Sequence, residues 1–212
     1  VEVDLRCSRD GHAVCLHDRN LMRTTAVDRN IDEVTLSELH QLVSPDVVPT
    51  FATFAQICAA KNVALMLDVK NTPDTLIPAF ADEIIAALRR RDLLDSALLI
   101  GSEPVLLRIP APARLKWRTP FAQFRTDVLE SGGDASRYFA FIPRDFTPED
   151  VAAFHGAGVE VIVTVNLLHY LPREPIAPGE SDLAYAHQLG VDGYQIDWEY
   201  EAFTRTLMSQ HQ

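Results

Sequence analysis

Long apolar runs are missing from this chain: no stretch approaches the roughly eighteen consecutive apolar residues that a membrane-spanning helix needs. Its first residues also lack the basic-then-apolar order of a secretory leader. Cysteine is scarce. The three present, Cys7, Cys15 and Cys58, form an odd and scattered set, read as reduced core residues rather than a disulfide framework or a zinc site. They do not settle the compartment. Positive charge is in deficit too: nineteen Lys and Arg face thirty Asp and Glu, and the resulting net charge of −11 works against nonspecific attraction to nucleic acid or anionic lipid. No basic groove is expected. What the chain does have is an apolar fraction of 47% in 212 residues, enough for a sizeable core in one large domain spanning residues 1–212.

Strand-like and helix-like patterns alternate along the sequence. "VEVDL" at Val1–Leu5 alternates with period two, and "HAVCLH" after the Asp10-Gly11 turn signal predicts a second short extended segment. The stretch that follows is read as a loop. Phe51, Phe54, Ile57 and Cys58 then recur at helical spacing behind Thr50, a fitting N-cap. "VALMLDVK" returns to strand character. Leu76, Ile77, Phe80, Ile84, Ile85 and Leu88 predict a longer amphipathic helix that closes on a run of arginines, and the strand "ALLIGS" follows it. "RLKWRT" and "YFAFIP" read as short buried strands joined by an irregular segment containing Gly132-Gly133. Thr147 and Asp150 stand at the reciprocal positions of a capping box, with Gly156 or Gly158 to end that helix. "VEVIVTVN", the short helix "ESDLAYAHQLG", the strand "GYQID" and a terminal helical segment complete the pattern. Seven core strands separated mostly by helix-sized stretches imply parallel pairing with helical crossovers, one strand short of a closed (β/α)8 barrel.

Candidate chemistry gathers in the first third. Residues two apart on a strand project to one face at roughly 7 Å separation, so Glu2 and Asp4 can converge on a single cation. Asp68 sits near the end of another predicted strand, where barrel enzymes carry their site residues. Three carboxylates without a thiolate favour a hard ion, Mg²⁺ or Ca²⁺, over zinc. Such an ion reconciles an acidic protein with an anionic substrate. Lys70 is suited to stabilise negative charge on an anionic substrate, and His17, oriented by Asp18, to move a proton. The other histidines, His12, His40, His155, His169, His187 and His211, lack metal-ligand spacing and are read as structural or solvated. Trp117 and Trp198 can line a pocket or pack, and packing is the simpler expectation.

The ordered run Glu2-Val3-Asp4, Asp10-Gly11, Val14 to His17-Asp18 and Arg23-Thr24-Thr25 resembles the glycerophosphodiester phosphodiesterase family, in the phosphatidylinositol-specific phospholipase C-like phosphodiesterase superfamily. "TLSEL", "VPTF", "LMLDVK", "VTVN" and "GVDGYQID" keep the family's order across almost the whole chain. The resemblance implies a (β/α)8 TIM-type barrel and metal-dependent hydrolysis of a small-molecule glycerophosphodiester to sn-glycerol 3-phosphate and an alcohol. It assigns Glu2, Asp4 and Asp68 to the metal, His17 and Lys70 to catalysis, and Lys70, Asp197 and Trp198 to substrate binding.

Several positions depart from the family pattern. Asp68 replaces the usual Glu, Val163 replaces the tryptophan of Trp-Thr-Val-Asn, and Ile196-Asp197-Trp198-Glu199 replaces Thr-Asp-aromatic-Pro. The family's His-Arg-Gly strand, which supplies a second catalytic histidine and a phosphate-holding arginine, has no counterpart here. The opening residues match the second family strand, so the chain is expected to lack the first strand and helix, and the intact gene product to be longer. Two alternatives stay open: a noncatalytic barrel that binds a phosphorylated ligand or partner, and a phospholipase D or sphingomyelinase D-like activity on a lipid phosphodiester.

Overall fold

The computed structural model describes residues 1–118, 120–142 and 147–209. By its internal contacts the chain divides into two compact units, Val1–Leu115 and Lys116–Gln212.

In the first unit, β1 (Glu2–Cys7) is followed by β2 (Ala13–Cys15), which folds back antiparallel with Leu5 opposite Cys15. Gly11 makes that reversal at φ 90°, a conformation open to glycine at no steric cost. The segment read as a loop from the sequence is instead built from α1 (Met22–Thr25), a 3₁₀ turn at Ile31–Glu33 and α2 (Leu36–Leu42). Thr35 and Glu38 cap α2 reciprocally, and Val14, Leu16, Leu21, Ile31, Val34, Leu39 and Val48 form a small core of their own. The apolar residues there are spaced for a satellite cluster rather than for one long face, which hid the helix from its periodicity.

Helix α3 (Phe51–Ala60) starts where expected, with Thr50 Oγ1 accepting the Thr53 N–H. Next come β3 (Met66–Val69), α4 (Ile77–Arg89), β4 (Leu98–Gly101), α5 (Glu103–Leu106) and β5 (Arg114–Trp117). Phe80, Ile84 and Leu88 of α4 are fully buried, whereas Leu76 falls in the preceding 3₁₀ turn. Pairs β1–β3, β3–β4 and β4–β5 are all parallel, in the registers Asp4 to Asp68, Asp68 to Ile100 and Leu98 to Arg114. Pleating then sorts the side chains. Leu5, Cys7, Leu67, Val69 and Leu99 are buried in the core shared with Phe51, Phe80 and Ile84, so the alternate residues Glu2, Asp4, Arg6 and Asp68 share the opposite face.

The second unit contains α6 (Phe121–Phe124), a π-helical turn at Arg125–Leu129, β6 (Tyr138–Ile142), α7 (Pro148–Gly156), β7 (Val161–Val165), α8 (Ile176–Gln188), β8 (Gly193–Ile196) and α9 (Glu201–Ser209). Strands β6–β7 and β7–β8 are parallel. The capping box of Thr147 and Asp150 forms, and the chain leaves α7 through Gly158 at φ 72°. The Gly-Gly connection is more regular than expected, because Phe124 anchors it against Trp117, Tyr138 and Phe154 at ring separations of 5.2, 5.8 and 5.5 Å. Helix α8 begins before the predicted start. Pro178 costs no hydrogen bond in the first turn, and Gly179 is required there, since a Cβ would lie 2.4 Å from the fully buried Tyr200 ring.

All seven core strands read from the sequence are thus present, with β2 as an added hairpin partner. The predicted ends at Thr119, Pro143 and Gln210, and His211, lie outside the described residues. The three cysteines are free, Cys7 and Cys58 buried and Cys15 half-buried. Among the described residues no helix is long and apolar enough to cross a membrane.

Candidate active site

Parallel pairing of β1 with β3 brings the predicted carboxylates together. Asp4 and Asp68 are direct neighbours across the ladder, and Glu2 stands one pleat away on the same face. One carboxylate oxygen from each lies within 4.8 Å of the others. Lys70, two residues beyond Asp68, is fixed by its backbone N–H donating to the Leu5 carbonyl at 2.9 Å. Its ammonium reaches back to both aspartates, 2.7 Å from Asp4 Oδ1 and 2.8 Å from Asp68 Oδ2.

The electrostatics follow from that crowding. Burial, reinforced by the charges of Asp4 and Asp68, pushes the Glu2 carboxyl up to about 7, although Lys70 and His17 pull the other way. Burial alone would lower the Lys70 ammonium, but its hydrogen bonds to Asp4 and Asp68 outweigh this and hold it above its ordinary value. Three carboxylates and one ammonium leave the cluster short of positive charge. Oxygen-only donors at this spacing fit a hard divalent cation such as Mg²⁺ or Ca²⁺.

Gly101 closes the end of the site. It sits at φ 108°, and a Cβ there would lie 2.1 Å from the Val69 carbonyl oxygen and 2.9 Å from Asp68 Oδ1. Only glycine lets β4 pass so near the Asp68 carboxylate.

His17 is delivered by the hairpin, where the Leu16 N–H donates to the Asp4 carbonyl at 3.1 Å. Its Nδ1 lies 2.6 Å from Asp18 Oδ1, which leaves Nε2 as the outward nitrogen on a side chain 62% exposed. The Arg23 guanidinium pairs with the other Asp18 oxygen. Hydrogen bonds from Arg23 and His17 hold the Asp18 carboxyl well below the usual carboxylate range. Arg6 Nε donates to the His17 carbonyl at 2.7 Å. Neither arginine was assigned a role from the sequence. The signal for Arg6 was its place as the third member of the alternating series Glu2, Asp4, Arg6, and for Arg23 its spacing of five from Asp18.

Asp197 and Trp198 belong to the second unit. Asp197 follows β8 and its Oδ2 accepts the Leu167 N–H at 2.7 Å, tying the segments after β7 and β8 together. Trp198 is 79% exposed, so the packing expectation fails for it and holds for Trp117, which stacks edge-on against Phe124 and Tyr138. A cavity of about 720 Å³ opens in this unit beside His169, Arg173, Ser181 and Asp182, and none of the residues singled out for chemistry lines it. Convergent carboxylates, not cavity size, mark the site.

Comparison with known proteins bears on this constellation. Residues 1–102, which carry the carboxylates, His17, Lys70 and Gly101, match the sequence profile of the glycerophosphoryl diester phosphodiesterase family. The match covers just under half of the chain. A probable glycerophosphodiester phosphodiesterase 1 of Mycobacterium tuberculosis is 48% identical over 42 residues, 20% of this chain and 15% of its own length. The aligned part thus spans well under two thirds of that relative. The structure of a glycerophosphodiester phosphodiesterase from Agrobacterium tumefaciens superposes with a TM-score of 0.73 at 15% identity, covering 98% of this chain and 85% of the other. That of an Oleispira antarctica phosphodiesterase, in complex with the product sn-glycerol-3-phosphate, gives 0.71 at 18% identity, covering 98% and 84%. These likenesses give the fold of the whole chain as the α/β barrel of the glycerophosphoryl diester phosphodiesterases.

Proposed function

We propose that this chain is a metal-dependent phosphodiesterase that hydrolyses a glycerophosphodiester to sn-glycerol 3-phosphate and an alcohol. The observation that carries the reading is the set of three carboxylate oxygens within 4.8 Å, bordered by Lys70, inside the family-matched segment. Glu2, Asp4 and Asp68 would hold Mg²⁺ or Ca²⁺. When bound, the ion supplies Lewis-acid charge to the phosphoryl oxygens. Lys70 stabilises the negative charge that grows on those oxygens as the ester bond breaks. His17 delivers a proton from Nε2 to the departing alkoxide, while Asp18 accepts the Nδ1–H and fixes the ring. Arg23 holds Asp18 from behind, and Arg6 pins the His17 backbone.

The test is release of sn-glycerol 3-phosphate from glycerophosphocholine with Mg²⁺, Ca²⁺ or chelator, beside the His17→Ala variant. Metal-dependent turnover that falls by about 10²–10⁴-fold in the variant supports the assignment. Full turnover by His17→Ala removes His17 from the mechanism, and ligand binding without turnover by the wild type favours the noncatalytic alternative.

A further inference from the structure

We infer that Lys70 and the divalent cation are alternative partners of the Asp4–Asp68 pair, so that binding of the ion turns the Lys70 ammonium out of the cluster toward the substrate phosphate. The inference rests on the metal-dependent reading above and adds an order of events and a coupling to it.

Three observations carry it. Among the described residues, both ion pairs of Lys70 go to carboxylates that would hold the ion, at 2.7 and 2.8 Å. The side chain is only 20% exposed, with its ammonium turned to those carboxylates rather than to solvent. Asp68 on β3 and Lys70 just past the end of that strand are also two apart, which puts both on one face while the backbone at Lys70 stays pinned to Leu5. A cation within about 2.0–2.6 Å of these oxygens would stand beside a like charge that hydrogen-bonds the same groups. The flexible four-carbon stem of lysine is the part able to yield. Turned away from the carboxylates, the ammonium needs an anion, and a phosphoryl group at the ion supplies it. Ion and phosphate therefore favour each other's binding through Lys70, in addition to any direct contact between them.

The exchange is tested on the purified chain by calorimetric titration with Mg²⁺, alone and with sn-glycerol 3-phosphate, for wild type, Lys70→Met and Lys70→Arg. In parallel, acylation of Lys70 by an amine reagent is followed by mass spectrometry. Lys70→Met is expected to bind Mg²⁺ about tenfold more tightly than wild type and to lose most of the enhancement by sn-glycerol 3-phosphate, with Lys70→Arg staying near wild type. Removing a positive charge would itself favour a cation, so the labelling decides the movement. Lys70 of the wild type should acylate several-fold faster once Mg²⁺ is added, and slow again with sn-glycerol 3-phosphate. Unchanged or slower labelling on Mg²⁺ addition overturns the exchange, as does equal or weaker Mg²⁺ binding by folded Lys70→Met. If that variant does not fold, the wild-type labelling stands as the deciding result. A wild type that binds no Mg²⁺, even with sn-glycerol 3-phosphate, overturns the metal-dependent reading itself and the exchange with it. Binding with unresponsive Lys70 overturns the exchange alone.

Discussion

Replacing Gly101 by alanine probes the join between backbone geometry and the carboxylate cluster. At φ 108° an L-residue is strained, and the new methyl group would lie 2.1 Å from the Val69 carbonyl oxygen, 2.8 Å from its carbon and 2.9 Å from Asp68 Oδ1. Two of those three neighbours are backbone atoms of β3, paired in parallel with β4 through Val69 and Gly101, so neither strand yields cheaply. Backbone strain of about 1–2 kcal/mol and overpacking of about 1–3 kcal/mol together give a loss of about 2–5 kcal/mol. For a chain of this length that corresponds to a Tm lowered by roughly 4–20 °C, read by differential scanning calorimetry. Because the third clash is with the Asp68 carboxylate, Mg²⁺ affinity should fall in the protein that remains folded. A Tm within about 2 °C of wild type together with unchanged Mg²⁺ binding would refute the reasoning, since the close approach at β4 would then not be needed for either property.

The Glu2 carboxyl, held at about 7 against an ordinary 4.5, gives a pH signature with a definite sign. Between those values the unfolded chain has already released the Glu2 proton while the folded chain retains it, so metal-free stability should fall as pH rises from about 4.5 to 7. Glu2→Gln should flatten that segment of the Tm-against-pH curve; an identical slope in the variant would mean that Glu2 is not the group responsible. Asp18→Ala releases the imidazole from its orienting carboxylate, so kcat should drop about tenfold with little change in KM or Tm, measured by glycerophosphocholine turnover and melting. Gly179→Ala drives a methyl into the buried Tyr200 ring and should cost about 1–3 kcal/mol without altering Mg²⁺ affinity. A loss of metal binding there would show that damage near Tyr200 reaches the carboxylates.

The sequence by itself determined the alternation of strands and helices, because burial on one face repeats every two or every 3.6 residues and leaves its period in the letters. β1, β3 and α4 are legible for that reason, and so is the α7 cap, whose Thr147 and Asp150 act over one turn. Glu2 and Asp4 were legible as a pair for the same local reason. Asp68 was grouped with them from its strand position and the family resemblance, but its place directly beside Asp4 came only from the tertiary structure, since it depends on a parallel register between strands more than sixty residues apart. It alone revealed that Lys70 is spent on the two aspartates, that Arg6 and Arg23 brace His17 and Asp18, and that Gly101 and Gly179 make room for neighbours far away in sequence. The helices within residues 18–49 were read as a loop because their apolar side chains pack into a separate small core without a repeating face. Periodicity records which side of an element is buried; what that side meets is set by pairing and packing between distant segments.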